Sequence, residues 1–418
     1  MIPQGYKQTE IGVIPQDWNV HTLEMLYNIT SSKRVFQSQW RKSGIPFYRA
    51  REIAVMSEGK SAPEDLYIDA DLYNQYTRQY GSIKKDDVLI TGVGTLGKVY
   101  VVKESDKFYF KDGNIIWLQF KDGFSSQYLK HQYDMPVLIN QVFGNAGGST
   151  VATYTITNAK STKVPVPPLD EQKRIAEALS DVDSMISSLE KLIAKKKAVK
   201  QGTMQELLTG KKRLPGFTGE WVSGKWKDVL GCFSSGATPY RGNSEFYKGT
   251  IKWVSSGELN YNYITDTLEH ISYDAQTITN LTLHPAGTFL MAITGLEAAG
   301  TRGSCAILGT AATTNQSCMA IYGTEKMSTE YLFHYYVQNG DELAIQYCQG
   351  TKQQSYTAAI VKELPIYYPE DVAEQNVIAS ILSDMDKEIE TLEQKLAKNR
   401  QIKQGMMQQL LTGKIRLV

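Results

Sequence analysis

The feature that most constrains this chain is a long segment that occurs twice. The first copy begins at Glu171 and reads EQKRIAEALSDVDSMISSLEKLIAKKKAVKQGTMQELLTGKKRL. The second begins at Glu374 and reads EQNVIASILSDMDKEIETLEQKLAKNRQIKQGMMQQLLTGKIRL. The alignment needs no gap, because the offset of 203 residues between Glu171 and Glu374 also separates Leu214 from Leu417. The chain is therefore organised as one unit repeated once.

Each copy predicts a single long helix. Apolar residues recur at alternating steps of four and three, which is the heptad pattern of a coiled coil. A helix of about 37 residues would be roughly 55 Å long, too long to bury this seam in a small domain. We therefore expect the two copies to pack against each other as an antiparallel coiled coil. Gly202 and Gly405 predict a break or bend late in each helix. The seam positions are Ile175, Leu179, Val182, Ile186, Leu189 and Ile193, and then Ile378, Leu382, Met385, Ile389, Leu392 and Leu396.

The segment that precedes each helix predicts a globular domain. Short runs rich in β-branched and aromatic residues alternate with glycine and proline, which is typical of strands and turns. The two domains echo each other, since Trp18 and Trp221 also lie 203 residues apart and IPFYRAREI at 45–53 answers IKWVSSGEL at 251–259. We expect an α+β fold with pseudo-two-fold symmetry. Its globular domains are predicted at 1–166 and 215–369, and its helical regions at 167–214 and 370–418.

Composition argues against several classes of protein. The 418 residues carry a net charge of +1, so any nucleic-acid-binding surface must be local. The N-terminal segment lacks the apolar core of a signal peptide, and no apolar run is long enough to span a membrane. The cysteines form no CxxC pair and the histidines are scattered, which favours reduced thiols over a metal site or disulfides. We expect a cytoplasmic protein without membrane contact.

The run GVGTLGK at 92–98 matches both a GxGxxG dinucleotide motif and half of a P-loop. Both motifs need a helix to begin at the last glycine, because the helix N-terminus binds the phosphate. The sequence from Val99 to Val102 predicts a strand instead, and Val99 stands where a P-loop needs Ser or Thr. We therefore expect a glycine-rich hairpin loop. The chain also shows no adenine-methyltransferase motif, HExxH pattern or Ser-His-Asp arrangement, which indicates a protein without catalysis of its own.

Several motifs together resemble the specificity subunit of type I restriction-modification systems. The resemblance rests on the helix start PPLDEQKRIAEAL and the helix end LLTGKKRL, both repeated, with GIPFYRAREI, DVLITGVGTLGKV and the G-x-T-P at 236–239. It covers essentially the whole chain. It implies that residues 1–166 and 215–369 are two target recognition domains, each reading one half of a bipartite double-stranded DNA target. The helices would then be conserved spacer regions.

The resemblance also implies the partners. In that family the subunit is not an enzyme, and it holds two methyltransferase subunits that methylate adenine at N6. In the full complex it also holds restriction subunits that cleave unmodified DNA, although the sequence leaves open whether they accompany this chain. S-adenosylmethionine, ATP and Mg would belong to those partners, so no cofactor is expected here. Two alternatives stay open from the residues alone: a stand-alone nuclease or methyltransferase, and a scaffolding coiled coil without a nucleic-acid role.

Base edges are read by Arg, Lys, Asn and Gln, and phosphates by basic and small polar groups. A solvated charged loop is the alternative for any single residue. Ser255 and Ser256 stand in the segment that answers Arg49 and Arg51, which we expect on one face of a strand. This difference indicates that the domains read different bases. In the first domain we expect DNA contacts from Lys33, Arg34, Arg41, Arg49, Arg51, Arg78, Lys98, Ser149 and Thr150. In the second we expect them from Arg241, Asn243, Ser255, Ser256, Arg302, Lys352, Gln353 and Gln354.

The outer faces of the two predicted helices are basic. DNA phosphates between the half-sites, an acidic methyltransferase surface and solvent are all compatible with such faces. The residues are Lys191, Lys195, Lys196 and Lys197 in the first copy, and Lys395, Lys398, Arg400 and Lys403 in the second.

Overall fold

The chain forms two compact units, each built from segments that are distant in sequence. The computed structural model describes residues 2–144, 152–297, 301–350 and 354–418. The first unit holds Met1–Lys191 and Gln394–Val418, and the second holds Leu192–Glu393. Each unit therefore contains one globular domain with part of both long helices.

The first domain is a mixed structure of short strands and short helices that leads into the first long helix. Its strands are β1 (Tyr6–Thr9), β2 (Gly12–Pro15), β3 (Asn19–Thr22), β4 (Asn28–Thr30), β5 (Ile45–Tyr48), β6 (Tyr67–Ile68), β7 (Val88–Thr91), β8 (Val99–Val101), β9 (Tyr109–Phe110), β10 (Ile115–Gln119) and β11 (Lys163–Val166). Its helices are α1 (Leu23–Leu26), α2 (Ala50–Ser57), α3 (Ala70–Tyr80), α4 (Ser126–Gln132), α5 (Pro136–Gly144) and α6 (Ile156–Ser161), followed by the long helix α7 (Leu169–Leu207).

The second domain repeats this plan. Its strands are β12 (Trp221–Lys225), β13 (Gly231–Ser235), β14 (Ile251–Val254), β15 (Asn262–Ile264), β16 (Glu269–Ile271), β17 (Phe289–Ala292), β18 (Cys305–Leu308), β19 (Thr313–Thr314), β20 (Cys318–Tyr322) and β21 (Pro365–Pro369). Its helices are α8 (Trp226–Val229), α9 (Tyr273–Ile278), α10 (Thr329–Tyr347) and α11 (Ala358–Glu363), followed by the long helix α12 (Val372–Leu410).

The sheet topology confirms that the globular domains are copies of one fold. The first domain has sheets in the orders β4-β10-β7-β8, β6-β5-β9 and β11-β3. The second has β13-β20-β17-β18-β15, β16-β14-β19 and β12-β21, so these three sheets differ from those of the first domain only by β15 at one edge. The two-stranded sheet β1-β2 of the first domain has no counterpart among the described residues of the second. Even the one parallel pairing in the three-stranded sheet is repeated, because β5 runs parallel to β9 and β14 runs parallel to β19.

The long helices run without interruption, so the predicted break at the late glycines is wrong. Both α7 and α12 have 39 residues and pass through Gly202 and Gly405 as α-helix. A glycine inside a helix costs only about 0.5–1 kcal/mol relative to alanine, which the many other hydrogen-bonded turns outweigh. Each helix ends shortly before a glycine, Gly210 or Gly413, that has φ of +69°, the left-handed conformation that commonly terminates helices.

All twelve predicted seam positions are buried or half-buried. They do not, however, bury their side chains only against the other helix. Ile175 and Leu179 lie in the core of the first domain beside Trp18. Ile378 and Leu382 lie in the core of the second. The first turns of each long helix therefore serve as core elements of the globular domain that precedes them.

Ion pairs along the helices show that α7 and α12 run antiparallel within each unit. In the first unit the pairs are Lys403 with Asp183 and Arg400 with Glu190. In the second they are Lys196 with Glu388, Lys200 with Asp386 and Lys197 with Glu393. Several cations that we expected on outer faces thus flank the contact between the helices. These pairs are exposed or partly exposed, and exposed pairs contribute about 0–1 kcal/mol each, so they set alignment more than stability.

A buried polar joint fixes each globular domain to the start of its long helix. In the first unit, the Ser125 backbone N–H donates to Gln172 Oε1 at 2.8 Å, and Gln172 Nε2 donates to the Pro167 carbonyl at 2.8 Å. In the second unit, the Ser328 N–H donates to Gln375 Oε1 at 2.9 Å. Gln172 and Gln375 belong to the repeated EQ pair of the sequence, so the same joint is built twice.

A second repeated contact joins the end of one long helix to the start of the other. Arg416 donates through Nε and Nη2 to Glu171 at 2.6 and 2.8 Å in the first unit. Arg213 donates through the same atoms to Glu374 at 2.8 Å each in the second unit. Fork-to-fork pairs of this kind are directional and charge-assisted. We call these two contacts the arginine clasps.

Candidate nucleic-acid interface

A groove of about 550 Å³ opens on the first domain between helix α2 and the loop that joins β7 to β8. Three residues that the sequence predicts as DNA contacts line it: Arg49, Arg51 and Lys98. Helix α2 packs against both β7 and β8. This packing brings the arginines beside a loop that follows them by about forty residues in sequence.

The arginines do not lie on a strand face, which corrects the expectation from the sequence. Strand β5 ends at Tyr48, and Arg49 is the N-cap of α2 with φ of −103° and ψ of 179°. Glu52, three residues later, accepts the Arg49 backbone N–H at 2.9 Å. A glutamate at this position of a helix satisfies the N-cap N–H, and so the chain turns from strand to helix at Arg49.

One carboxylate holds both guanidinium groups. Arg49 donates to Glu52 through Nε at 3.2 Å and Nη2 at 3.0 Å. Arg51 donates through Nε to the same carboxylate at 2.8 Å and through Nη2 to Asp65 at 2.7 Å. Only 2% of the Glu52 side chain is exposed. Burial raises the pKa of Glu52, but the hydrogen bonds from both arginines outweigh burial and hold this pKa below its usual value. The carboxylate is therefore ionised and fixes two planar donors at the groove.

The loop opposite the arginines is a glycine-rich hairpin, as predicted. Strands β7 and β8 pair antiparallel, and the Gly97 N–H closes the loop on the Thr91 carbonyl at 2.9 Å. Gly94 and Gly97 have φ of +80° and +71°, which residues other than glycine rarely adopt. The segment after the loop is strand, so it offers no helix N-terminus for a nucleotide phosphate.

The other basic residues predicted in the first domain lie outside the lining of this groove. Arg34 pairs with Asp112 at 2.9 Å, and Arg41 pairs with Asp69 at 2.8 Å. The remaining two are Lys33, whose ammonium lies 5.3 Å from the centroid of the Tyr80 ring, and Arg78, which is exposed on α3. These four residues stay candidates for phosphate contacts, but they do not belong to the group formed by Arg49, Arg51 and Glu52.

In the second domain the equivalent of the Arg49–Glu52 turn is Ser255–Glu258. Ser255 follows strand β14 and precedes a short 3-10 turn, and its N–H and hydroxyl both bond to Glu258 at 2.8 Å. The other oxygen of Glu258 accepts the Leu268 backbone N–H at 2.9 Å. The turn is thus the same in both domains, whereas the side chains that it presents differ.

Two predicted arginines of the second domain are tied to carboxylates. Arg241 makes a bidentate pair with Glu269 and lies 4.3 Å from the centroid of the Tyr247 ring. Arg302 pairs with Asp341 at 2.8 Å. Asn243 caps a 3-10 turn by accepting a backbone N–H. These contacts give each side chain a structural role beside any role in binding.

Some predicted contacts cannot be placed. Ser149, Thr150, Lys352 and Gln353 lie outside the described residues. Gln354 is described, and its backbone N–H donates to Glu297 at 3.2 Å. Its side-chain Oε1 is buried and has no hydrogen-bond partner among the described residues.

Sequence reasoning missed Glu52, Asp65 and Glu258, which position the groove and its counterpart. A signal for two of them was present. Glu52 stands three residues after Arg49, and Glu258 stands three residues after Ser255. This is the spacing of a capping box at a helix start, and it occurs in both copies.

Other kinds of site find no support in the described residues. There, no group of three or more His, Cys, Asp or Glu side chains is arranged to hold a metal ion. Within the same ranges, no helix is long and apolar enough to cross a membrane. The four cysteines are free thiols, and two of them, Cys305 and Cys318, are buried in the second domain.

Two curated proteins are similar in sequence to part of this chain. A putative type I restriction enzyme specificity subunit of Haemophilus influenzae is 33% identical over 159 residues, or 38% of each chain. The putative type I restriction enzyme MjaX specificity subunit of Methanocaldococcus jannaschii is 27% identical over 213 residues, or 49% of each chain. The chain thus spans less than half the length of these two curated relatives.

Solved structures share the fold. The S subunit of a type I restriction-modification system from M. genitalium matches with a TM-score of 0.61 at 12% identity, over 94% of this chain and 96% of that one. A chain from a structural study of type I restriction-modification assembly matches with a TM-score of 0.53 at 15% identity, over 96% and 99%. The model of the type I restriction modification DNA specificity domain matches residues 15–201 and again 218–403. The two matches to this family model cover most of the sequence. The chain therefore belongs to the type I restriction-modification DNA specificity family and carries the family's domain twice.

Proposed function

We propose that this protein is the DNA sequence-specificity subunit of a type I restriction-modification complex. Each globular domain reads one half of a bipartite target, and the long helices set the spacing between the halves. One observation carries the proposal: the same turn is built twice, on Glu52 and on Glu258, but it presents Arg49 and Arg51 in one domain and Ser255 and Gly257 at the equivalent positions in the other. Two domains that recognise different DNA sequences need the same backbone turn with different side chains on it.

The chemistry of the groove supports reading of DNA. Guanidinium groups held in a fixed plane suit base edges, and loop amides with a nearby lysine suit phosphates. The first domain combines both at Arg49, Arg51 and the hairpin that ends at Lys98. The groove is open to solvent, which fits an extended polymer better than an enclosed small ligand.

The helices act as a spacer and as the docking frame for partners in this proposal. A 39-residue helix is about 58 Å long, whereas one turn of DNA is about 34 Å. Two methyltransferase subunits docked on the frame would each receive one adenine and methylate it at N6. The target base has to leave the duplex for this chemistry, and S-adenosylmethionine is bound by those partners. ATP and Mg serve the restriction subunits where these are present, so this chain takes no part in the chemical steps.

Maps of methylated adenine in host DNA test the proposal directly. We expect a bipartite motif that disappears when the gene is deleted. Replacement of residues 1–166 by the recognition domain of a relative, with 167–214 and 370–418 retained, should change one half of the motif only. The incoming domain must carry apolar residues against Ile175 and Leu179, because these lie in the domain core.

A second variant tests the spacer. Seven residues inserted between Lys191 and Leu192, and seven between Gln394 and Lys395, preserve the heptad pattern and lengthen each helix by about 10 Å. We expect the gap between the half-sites to grow by about three base pairs while both halves keep their bases. A change in the bases themselves would contradict the spacer role.

Assays with purified components distinguish the proposed function from two alternative functions. A stand-alone methyltransferase would modify DNA with S-adenosylmethionine alone, whereas we expect activity only after methyltransferase subunits are added. A scaffold without a nucleic-acid role would leave the assembled complex unable to bind duplex DNA. We expect such binding, and we expect it to weaken as salt rises, because phosphate contacts release counterions.

A further inference from the structure

The arginine cluster at the groove carries no net charge. It contains two guanidinium groups, on Arg49 and Arg51, and two carboxylates, on Glu52 and Asp65, all within 3.2 Å of a partner. Attraction to phosphate depends on uncompensated positive charge. A neutral cluster therefore attracts the DNA backbone weakly, even though its donors point at the groove.

The cluster keeps directional donors. The bonds to Glu52 and Asp65 use Nε and Nη2 of each arginine and leave both Nη1 groups out. The planes of the guanidinium groups are fixed, because each one is held through two atoms. Fixed planar N–H groups suit a pair of acceptors in one plane, and guanine presents such a pair, O6 and N7, in the major groove.

We propose that Glu52 is a positioning residue that holds Arg49 and Arg51 to read the guanine of a G·C pair in the half-target of the first domain. The inference rests on the proposed function and adds the base that this domain reads and the residue that presets its readers. The second domain has no such reader at the equivalent turn, because Ser255 stands in place of Arg49 and Gly257 in place of Arg51. It therefore recognises its half-target without a fixed arginine pair at this turn.

Glu258 provides a matched control within the same chain. It makes the same backbone cap as Glu52, but its remaining contacts are the Ser255 hydroxyl and the Leu268 N–H. Glutamine can replace glutamate in a capping box, so both Glu52→Gln and Glu258→Gln should fold. Only Glu52→Gln places an amide N–H against a guanidinium donor and releases an arginine.

The experiment measures affinities of the assembled complex with its methyltransferase subunits. The probes are duplexes with the mapped target and duplexes with each base pair changed in turn. A bidentate arginine–guanine pair is worth about 5- to 150-fold in discrimination. We expect Glu52→Gln to reduce discrimination at one G·C pair of the first half by about tenfold or more. Glu258→Gln should leave discrimination unchanged at every base pair of the first half, because Glu258 holds no residue of the first domain.

Arg51→Lys separates base reading from phosphate contact. Lysine keeps the charge but loses the planar fork, so a base reader loses discrimination while the salt dependence of binding stays the same. If Arg51→Lys keeps wild-type discrimination at every base pair, Arg51 contacts phosphate and the inference is overturned. The inference also fails if the half assigned to the first domain contains no fixed G·C pair. Neither result affects the proposed function, which fails only if no bipartite target is bound or methylated.

Discussion

Loss of an arginine clasp should cost more in the second unit than in the first, although both clasps join an arginine fork to a buried glutamate. Glu374 is 1% exposed, and its hydrogen bonds from described side chains come from Arg213 alone. Glu171 is 2% exposed, but it also accepts a hydrogen bond from the Trp18 indole N–H at 3.0 Å. The indole N–H of Trp221, which corresponds to Trp18 in the repeat, is buried and has no partner in the described part of the chain.

The magnitudes follow from this difference. Removal of one partner from a buried ion pair costs about 3–5 kcal/mol, and Arg213 is 32% exposed, so water access favours the lower end. We expect Arg213→Met to lower the free energy of unfolding of the second unit by about 3 kcal/mol. Arg416→Met leaves Glu171 one donor, and a hydrogen bond to a charged group is worth about 1.5–3 kcal/mol. The substitution also breaks the pair of Arg416 with the exposed Asp17, which contributes about 0–1 kcal/mol. Its cost in the first unit should therefore be about 1–2 kcal/mol. Methionine keeps the aliphatic packing of arginine in both variants.

Hydrogen exchange of the full chain can report on each unit separately. The amides of β21 and the first turns of α12 report on the second unit, and those of β11 and the first turns of α7 report on the first. An Arg416→Met effect as large as that of Arg213→Met would refute the role given to Trp18. The double variant Arg213→Met with Glu374→Gln should recover most of the lost stability, because the uncompensated charge is gone. If it does not, buried charge is not the cause of the loss.

Three further perturbations have effects on stability whose direction the structure fixes. Burial lowers the pKa of His131 to about 4 and that of His334 to about 3, so protons bind the unfolded chain first and stability falls as pH drops below about 6.5. At pH 5 each histidine should account for a loss of about 2 kcal/mol, measured by urea unfolding. Glutamine at both positions should make the free energy of unfolding nearly independent of pH between pH 5 and 6.5. If its dependence on pH is unchanged, other groups titrate in this range. Gly202→Ala should raise stability by about 0.5–1 kcal/mol, since the added Cβ meets no atom within 4 Å. Gly413→Ala should lower the Tm, because φ is +69° and the Cβ would collide with Pro15, and a Tm at or above the wild-type value would contradict this account.

The large-scale architecture could be predicted because it depends on patterns that extend over many residues. Heptad spacing and an offset that never slips predict paired helices whatever the details of each turn. The echo between β5 and β14 is a property of whole strands, so it survives differences such as Arg49 against Ser255. Single-residue features were less predictable. Gly202 was expected to interrupt α7, but one unfavourable residue is outweighed by the hydrogen bonds and packing of a 39-residue helix.

The prediction that Arg49 and Arg51 lie on one face of a strand was wrong for a different reason. Arg49 and Arg51 stand two residues apart after an apolar run, which is the spacing of one strand face. The chain instead leaves the strand at Tyr48, because Glu52 satisfies the Arg49 N–H and starts a helix. Strand periodicity says where apolar side chains go, but a single capping carboxylate decides where the strand stops. Ion pairing was hidden from the sequence in the same way, since Lys403 meets Asp183 only after the helices pair.

The repeated EQ pair explains why the helix segments resemble each other more than the domains do. Glu171 and Glu374 are the buried acceptors of the clasps, and Gln172 and Gln375 are the buried joints to the domains. Each of these side chains meets backbone or a fixed fork, so a substitution leaves a buried polar group unpaired at a cost of about 1–3 kcal/mol. The groove carries a different constraint. At its turn only the glutamate is required for the backbone, and the side chains beside it can be arginine or serine without disturbing the fold. Buried hydrogen bonds therefore constrain the sequence of the long helices. The residues that present side chains at the groove do not make these bonds, so they can differ between the two domains.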